Sequence, residues 1–158
     1  MGAINNAFNQ ALGAVAGAGL AIKHAKETEE SKMNTADSSA LIARNQARAA
    51  DDEANAAINE AKKPGGLYEQ LSIAEVNAEK AEKAYNRAVK RKNGSYRTRI
   101  KKFTELDAAN KAVDELDNKA QAVRNINNRA EEQRIYASKA TQMALDAREK
   151  FKKHWGGK

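Results

Sequence analysis

The chain has 158 residues, enough for one domain, yet Ile, Leu, Val and Phe together number only 24 while 31 % of residues are charged, which excludes an ordinary core of large apolar side chains. It has no cysteine, so a disulfide frame and a thiolate metal site are both excluded. The net charge of +7 is local: nine of the 28 cations lie between Lys83 and Thr104 with no acid among them, and the remainder of the chain sums to −2.

From Gly2 to Ile22 there are 21 residues without a charge, about 31 Å of helix if all are helical. Asn5, Asn6, Asn9 and Gln10 argue against a simple membrane span, and the strongly apolar part, 11–22, is only 12 residues. Gly13 and Gly17 form a GxxxG pair that permits close helix approach, in lipid or in an oligomer. Ile4, Phe8, Ala11, Val15, Ala18 and Ile22 repeat at 4, 3, 4, 3, 4, so the segment has a packing face. Three readings stay open: a helix tucked into an oligomer, a segment that enters a membrane, and a mobile terminus. No cation precedes the apolar run, which argues against a secretory signal, and position 6 is Asn rather than the Ser or Thr of a myristoylation site. Nothing after Ile22 is apolar enough to cross a membrane, so the expectation is a protein made soluble.

Residues 23–63 form the next expected helix, charged at first and then ruled by alanine. Ala36, Ala40, Ala43, Ala47, Ala50, Ala54, Ala57 and Ala61 are spaced 4, 3, 4, 3, 4, 3, 4, the a/d rhythm of a heptad, which sets all eight on one stripe. Alanine is also the strongest helix former. A methyl seam buries little area, so such a helix needs another backbone against it. Gly19 and Pro64 bracket 44 residues without a breaker, which allows one helix from about Ala21 to Lys62; Asn34 or Thr35 is alternatively suited to cap a fresh helix, and a break or kink there is the favoured expectation.

Lys63-Pro64-Gly65-Gly66 is the clearest break in the chain, and a tight reversal is expected at it. The beat resumes over 67–92 at Leu67, Leu71, Ala74, Ala78, Ala81, Tyr85 and Ala88, which suggests an antiparallel hairpin with the preceding helix. Asn93-Gly94-Ser95 signals a second turn. A third helix is expected from Tyr96 or Thr104 to about Lys153, striped by Ile100, Phe103, Leu106, Ala109, Val113, Leu116, Ala120 and Val123. The stripe slips phase near Ile126 and continues through Ala130, Gln133, Ala137, Ala140, Ala144, Ala147 and Phe151, leaving 154–158 as a basic tail. The expected class is all-α: an elongated helical hairpin or coiled-coil-like rods, ordered within an oligomer.

Catalytic groups do not assemble from this sequence. His24 and His154 are far apart and neither follows a carboxylate by three residues, so the ligand pattern of di-iron bundles is missing, and no metal, cofactor or enzymatic activity is expected. The glycines before Lys23 fit no phosphate loop, and Asp51-Asp52-Glu53 reads as a solvated face. The cations Lys83, Arg87, Lys90, Arg91, Lys92, Arg97, Arg99, Lys101 and Lys102, interleaved with Tyr85, Tyr96 and Phe103, suit phosphates of nucleic acid or lipid, or an acidic protein neighbour.

The order of features, a Gly/Ala opening (Gly2 to Ile22), then Lys23, then an Ala/Gln/Asn/Arg-rich helical run such as 41–50 with a basic end, resembles the internal virion proteins of tailed phages and the DNA pilot proteins of small single-stranded DNA phages. The resemblance is one of style and covers the first 60 residues best. It implies a virion protein made in the host cytoplasm and packaged in several copies. Released into the host envelope, it would assemble with itself or other virion proteins to pass the genome, meeting DNA and membrane. The alternative is a structural adaptor or ring subunit of a phage neck or tail without membrane or DNA activity. A free-standing nucleic-acid-binding bundle is a third reading.

Overall fold

A computed structural model describes residues 2–156. Three helices occupy them: α1 (Gly2–Lys62), α2 (Leu67–Lys90) and α3 (Tyr96–Trp155). No strand occurs among the described residues. The fold is all-α, as a composition of 33 alanines and one proline dictates.

The chain divides into two compact units, one made of residues 1–47 with 133–158 and the other of residues 48–132. In the first, α1 and α3 run antiparallel. Glu29 meets His154 and Trp155, Asp37 meets Arg148, and Ala43 and Ala47 pack on Ala137 with Ala140 beside them. The second contains the end of α1, all of α2 and the first part of α3.

The alanine ruler faces inward throughout: Ala40, Ala43, Ala47, Ala54 and Ala61 are buried, and Ala36, Ala50 and Ala57 half-buried. The stripe also begins earlier than the alanines do. Glu29 and Met33, one heptad step before Ala36, are half-buried on the same face. Among the described residues every buried hydrophobic side chain is an alanine, and no larger side chain is fully enclosed. The core is therefore a layer of methyl groups, which lets backbones approach closely but removes little apolar area from water.

Three expectations about breaks are corrected. No new helix begins at Asn34 or Thr35, because α1 continues through both. A capping residue inside a helix costs only about 0.5 kcal/mol of propensity, too little to interrupt it where no Gly or Pro assists. For the same reason the expected 1–22 and 23–63 helices are one. The antiparallel hairpin closes at Arg91–Ser95, between α2 and α3, where Tyr85 meets Phe103 edge-on at 5.8 Å. At Pro64 the chain does not fold α2 back on α1: Ile58 before the break and Tyr68 after it border one cavity with Gln121, Val123 and Asn127 of α3. Pro64 and Gly65 instead occupy the corners of a tight turn, with Gly65 at φ +72° and Gly66 N–H donating to the Lys63 carbonyl at 2.7 Å. The Glu69 carboxylate accepts from Gly65 N–H, and Gln70 Nε2 donates to Gly65 O at 2.8 Å, which fastens the start of α2 to the turn.

On α2 the expected stripe is the inward face, ending in buried Ala88. On α3 it holds from Leu106 onward, but Ile100 and Phe103 are exposed while Arg99 and Lys102 are half-buried in their place. The reason is polar: Arg99 Nη2 donates to the Arg91 carbonyl at 3.1 Å, satisfying an acceptor left open at the end of α2. At the slip both Ile126 and Asn127 are half-buried and α3 continues unbroken to Trp155, two residues past the expected end.

Candidate interaction surfaces

The N-terminal part of α1 carries no partner side chain that the structure describes. From Asn9 to Thr28 every residue is exposed, including Leu12, Val15, Leu20 and Ile22, the last three at 72 %, 69 % and 58 %. A Cβ placed on Gly13, Gly17 or Gly19 would meet nothing within 4 Å, so the GxxxG pair is open. The side chains of Ile4 and Phe8, two positions of the expected packing face, and residues 157 and 158 of the tail lie outside the described residues. Among the described residues no helix is long and apolar enough to cross a membrane.

Where this exposed stretch ends, three α3 side chains converge on one carboxylate. Trp155 Nε1 donates to Glu29 Oε2, His154 Nδ1 lies 3.1 Å from Oε1, and Lys150 Nζ is 3.7 Å away. The Trp155 hydrogen bond first, then His154 and Lys150, hold the Glu29 carboxyl below the usual carboxylate range against the opposing effect of burial. A carboxyl with a lowered folded value stabilises above its unfolded value and loses that contribution as pH falls through the folded one. Glu29→Gln is therefore expected to loosen the α3 end at pH 7 and to make little difference at an acid pH below the lowered folded value. Amide hydrogen exchange of residues 148–155 at both pH values checks this. Equal protection in variant and parent at pH 7 refutes it.

The cationic run is divided by the structure into two groups. Lys83 Nζ pairs with Glu79 at 2.7 Å, Lys102 Nζ with Glu105 at 3.2 Å, and Arg99 is turned inward to the Arg91 carbonyl. Lys83 is exposed and Lys102 half-buried at the surface, so both pairs are screened by solvent and add little to stability. Arg87, Lys90, Arg91, Lys92, Arg97 and Lys101 are exposed and have no side-chain hydrogen bond or ion pair among the described residues. They sit on the last turns of α2, the turn itself and the first turns of α3, so the hairpin brings both halves of the run to one end. Charge counting alone finds the nine. Which of them are used internally depends on the α2–α3 pairing, and the sequence signal for Arg99 was only its place one residue before the expected stripe.

His24 is exposed, its carbonyl accepting from Thr28 Oγ1 at 2.9 Å, and His154 is held by Glu29. Among the described residues no three His, Asp or Glu side chains form a group able to hold a metal. A second cavity, between Thr35, Ala36 and Ser39 of α1 and Tyr136, Ala140 and Met143 of α3, is a shallow apolar groove in the first unit, with Tyr136 and Met143 exposed on its border. By its geometry the chain is an all-α protein with an exposed N-terminal helix and a basic hairpin end. No protein-family model matches it, and comparison with the curated proteins and with solved structures gives no match.

Proposed function

We propose that this chain is a structural, non-enzymatic subunit of the internal virion kind, completed by helix packing against further copies of itself and assisting genome delivery across the host envelope. One observation carries the packing part. The accessible surface is 12215 Å², whereas a folded monomer of 17.2 kDa exposes about 7,800 Å². The excess, about 4,400 Å² on one chain, is more than the roughly 1,000–2,500 Å² that each partner of an obligate pair buries, so there is surface for more than one such contact. The uncharged 2–22 segment can meet its copy without charge repulsion, and the open Gly13 and Gly17 allow close approach. The virion assignment rests on the likeness of residues 2–60 to internal virion and pilot proteins.

Sedimentation equilibrium of the purified chain is expected to give a multiple of 17.2 kDa, with a melting temperature that rises with concentration. A monomer that melts in one sharp, concentration-independent transition refutes the proposal. The second reading, an adaptor or ring subunit, is favoured by the absence of any span-length apolar helix among the described residues. Liposome flotation separates the two. Flotation lost in Gly13→Leu or Gly17→Leu supports envelope entry, and flotation unaffected by them, or none, supports the adaptor.

A further inference from the structure

The α2–α3 hairpin places six cations without an internal partner at one end of the second unit, three arginines and three lysines within the stretch 87–101. The nearest acids along the chain are Glu82 and Glu105, and Glu105 is already bonded to Lys102. We propose that this hairpin end is a binding site for the phosphodiester backbone of a nucleic acid.

Three features favour that ligand. The cations extend down both helical stems as well as the turn: Arg87 and Lys90 lie one turn apart on α2, and Arg97 and Lys101 one turn apart on α3. A chain of successive phosphates can follow such a row, each contact releasing a counterion. Arginine supplies a planar fork that grips phosphate oxygens through two donors. Tyr96 stands 77 % exposed beside Arg97, a ring face on which an unpaired base can stack. A lipid surface is the competing phosphate source: the tip itself, Arg91–Ser95, offers no apolar side chain to insert, and the exposed Val89, Tyr96, Ile100 and Phe103 lie on the stems behind it, so vesicles form an arm of the test. Arg99 has a different part. Its bond to the Arg91 carbonyl ties the start of α3 to the end of α2, so it positions the cationic stems.

The test is fluorescence anisotropy of the full chain with a labelled 20-base-pair duplex and with its single strand, over a salt series. Four phosphate contacts give a slope of log K against log salt of about −3.6 for duplex and about −2.8 for single strand. The triple variant Arg87→Ala, Lys90→Ala, Arg97→Ala is expected to bind at least tenfold more weakly at low salt and to flatten the duplex slope by about 2.7. The triple variant Lys139→Ala, Lys152→Ala, Lys153→Ala removes equal charge from the first unit and is expected to bind within twofold of the parent. Circular dichroism and sedimentation confirm that both variants keep the helical content and mass of the parent, so the result does not depend on whether the chain self-associates. No binding at low salt, equal losses in the two variants, or a slope shallower than −1 overturns the proposal. Capture by anionic phosphatidylserine vesicles that requires Arg87, Lys90 and Arg97, without DNA binding, also overturns it, in favour of a membrane contact.

Discussion

Leucine in place of Ala43 is expected to destabilise the protein by about 2–3 kcal/mol, because three added carbons must enter a seam with no void to receive them. Ala43 is 1 % exposed and packs on Ala47 and Ala137, all of them single methyl groups. In an ordinary core a larger apolar residue is partly accommodated by neighbouring rotamers. Alanine has no rotamers to change, so the two backbones must separate, and every contact along the seam lengthens together. For a chain of 158 residues this is a fall of about 4–12 °C in melting temperature. The same substitution at Ala49, which is exposed on the opposite face of the same helix, is expected to change stability by less than about 0.5 kcal/mol. Thermal denaturation of the two variants side by side decides the matter. Equal effects would mean that the alanine stripe is not a packing seam.

The second large effect is expected at Gly66 rather than at its more conspicuous neighbour. Gly65 adopts φ +72°, so alanine there costs about 1–2 kcal/mol of left-handed strain, but its Cβ would meet nothing within 4 Å. Gly66 has an ordinary φ of −77°, yet a Cβ on it would stand 2.7 Å from the Lys63 carbonyl oxygen, 2.8 Å from that of Glu60 and 2.9 Å from that of Ala61. All three are backbone atoms, two in the last turn of α1 and one in the turn that follows, and cannot swing aside as a side chain would. Gly66→Ala is therefore expected to cost about 2–3 kcal/mol, more than Gly65→Ala, through displacement of the turn and of the α2 start that Glu69 and Gln70 fasten to it. Urea denaturation measures both, with an unchanged slope showing that the loss is one of stability. A larger effect at Gly65 would contradict the steric account.

What the sequence makes legible is periodicity. The eight alanines of α1, the α2 stripe from Leu67 to Ala88 and the α3 stripe from Leu106 to Phe151 all face inward because spacing on a helix determines direction. Partner choice is another matter. A Pro-Gly-Gly break looks the same whether the next helix folds back or moves on, and only the Tyr85–Phe103 contact and the cavity shared by Ile58, Tyr68 and Asn127 reveal that α3 is α2's partner. Heptad stripes of methyl groups carry almost no shape by which one helix could name another. The start of α3 departs from its hydrophobic stripe for a related reason. Hydrophobicity points to Ile100 and Phe103, while the unsatisfied Arg91 carbonyl draws Arg99 inward instead, and open carbonyls are invisible until the turn is built. The cationic run is legible as a number of charges, and its division into used and unused ones is not.

An interior of methyl groups also governs how this protein responds to temperature. The heat capacity gained on melting follows newly hydrated hydrocarbon, near 12–15 cal/mol/K per residue in ordinary domains. Among the described residues alanine is the only fully buried hydrophobic type, and the larger apolar side chains are at most half-buried, so less hydrocarbon is newly wetted than in an ordinary core. Its stability curve is accordingly expected to be a broad arch with shallow flanks, which differential scanning calorimetry would read as a small heat-capacity step.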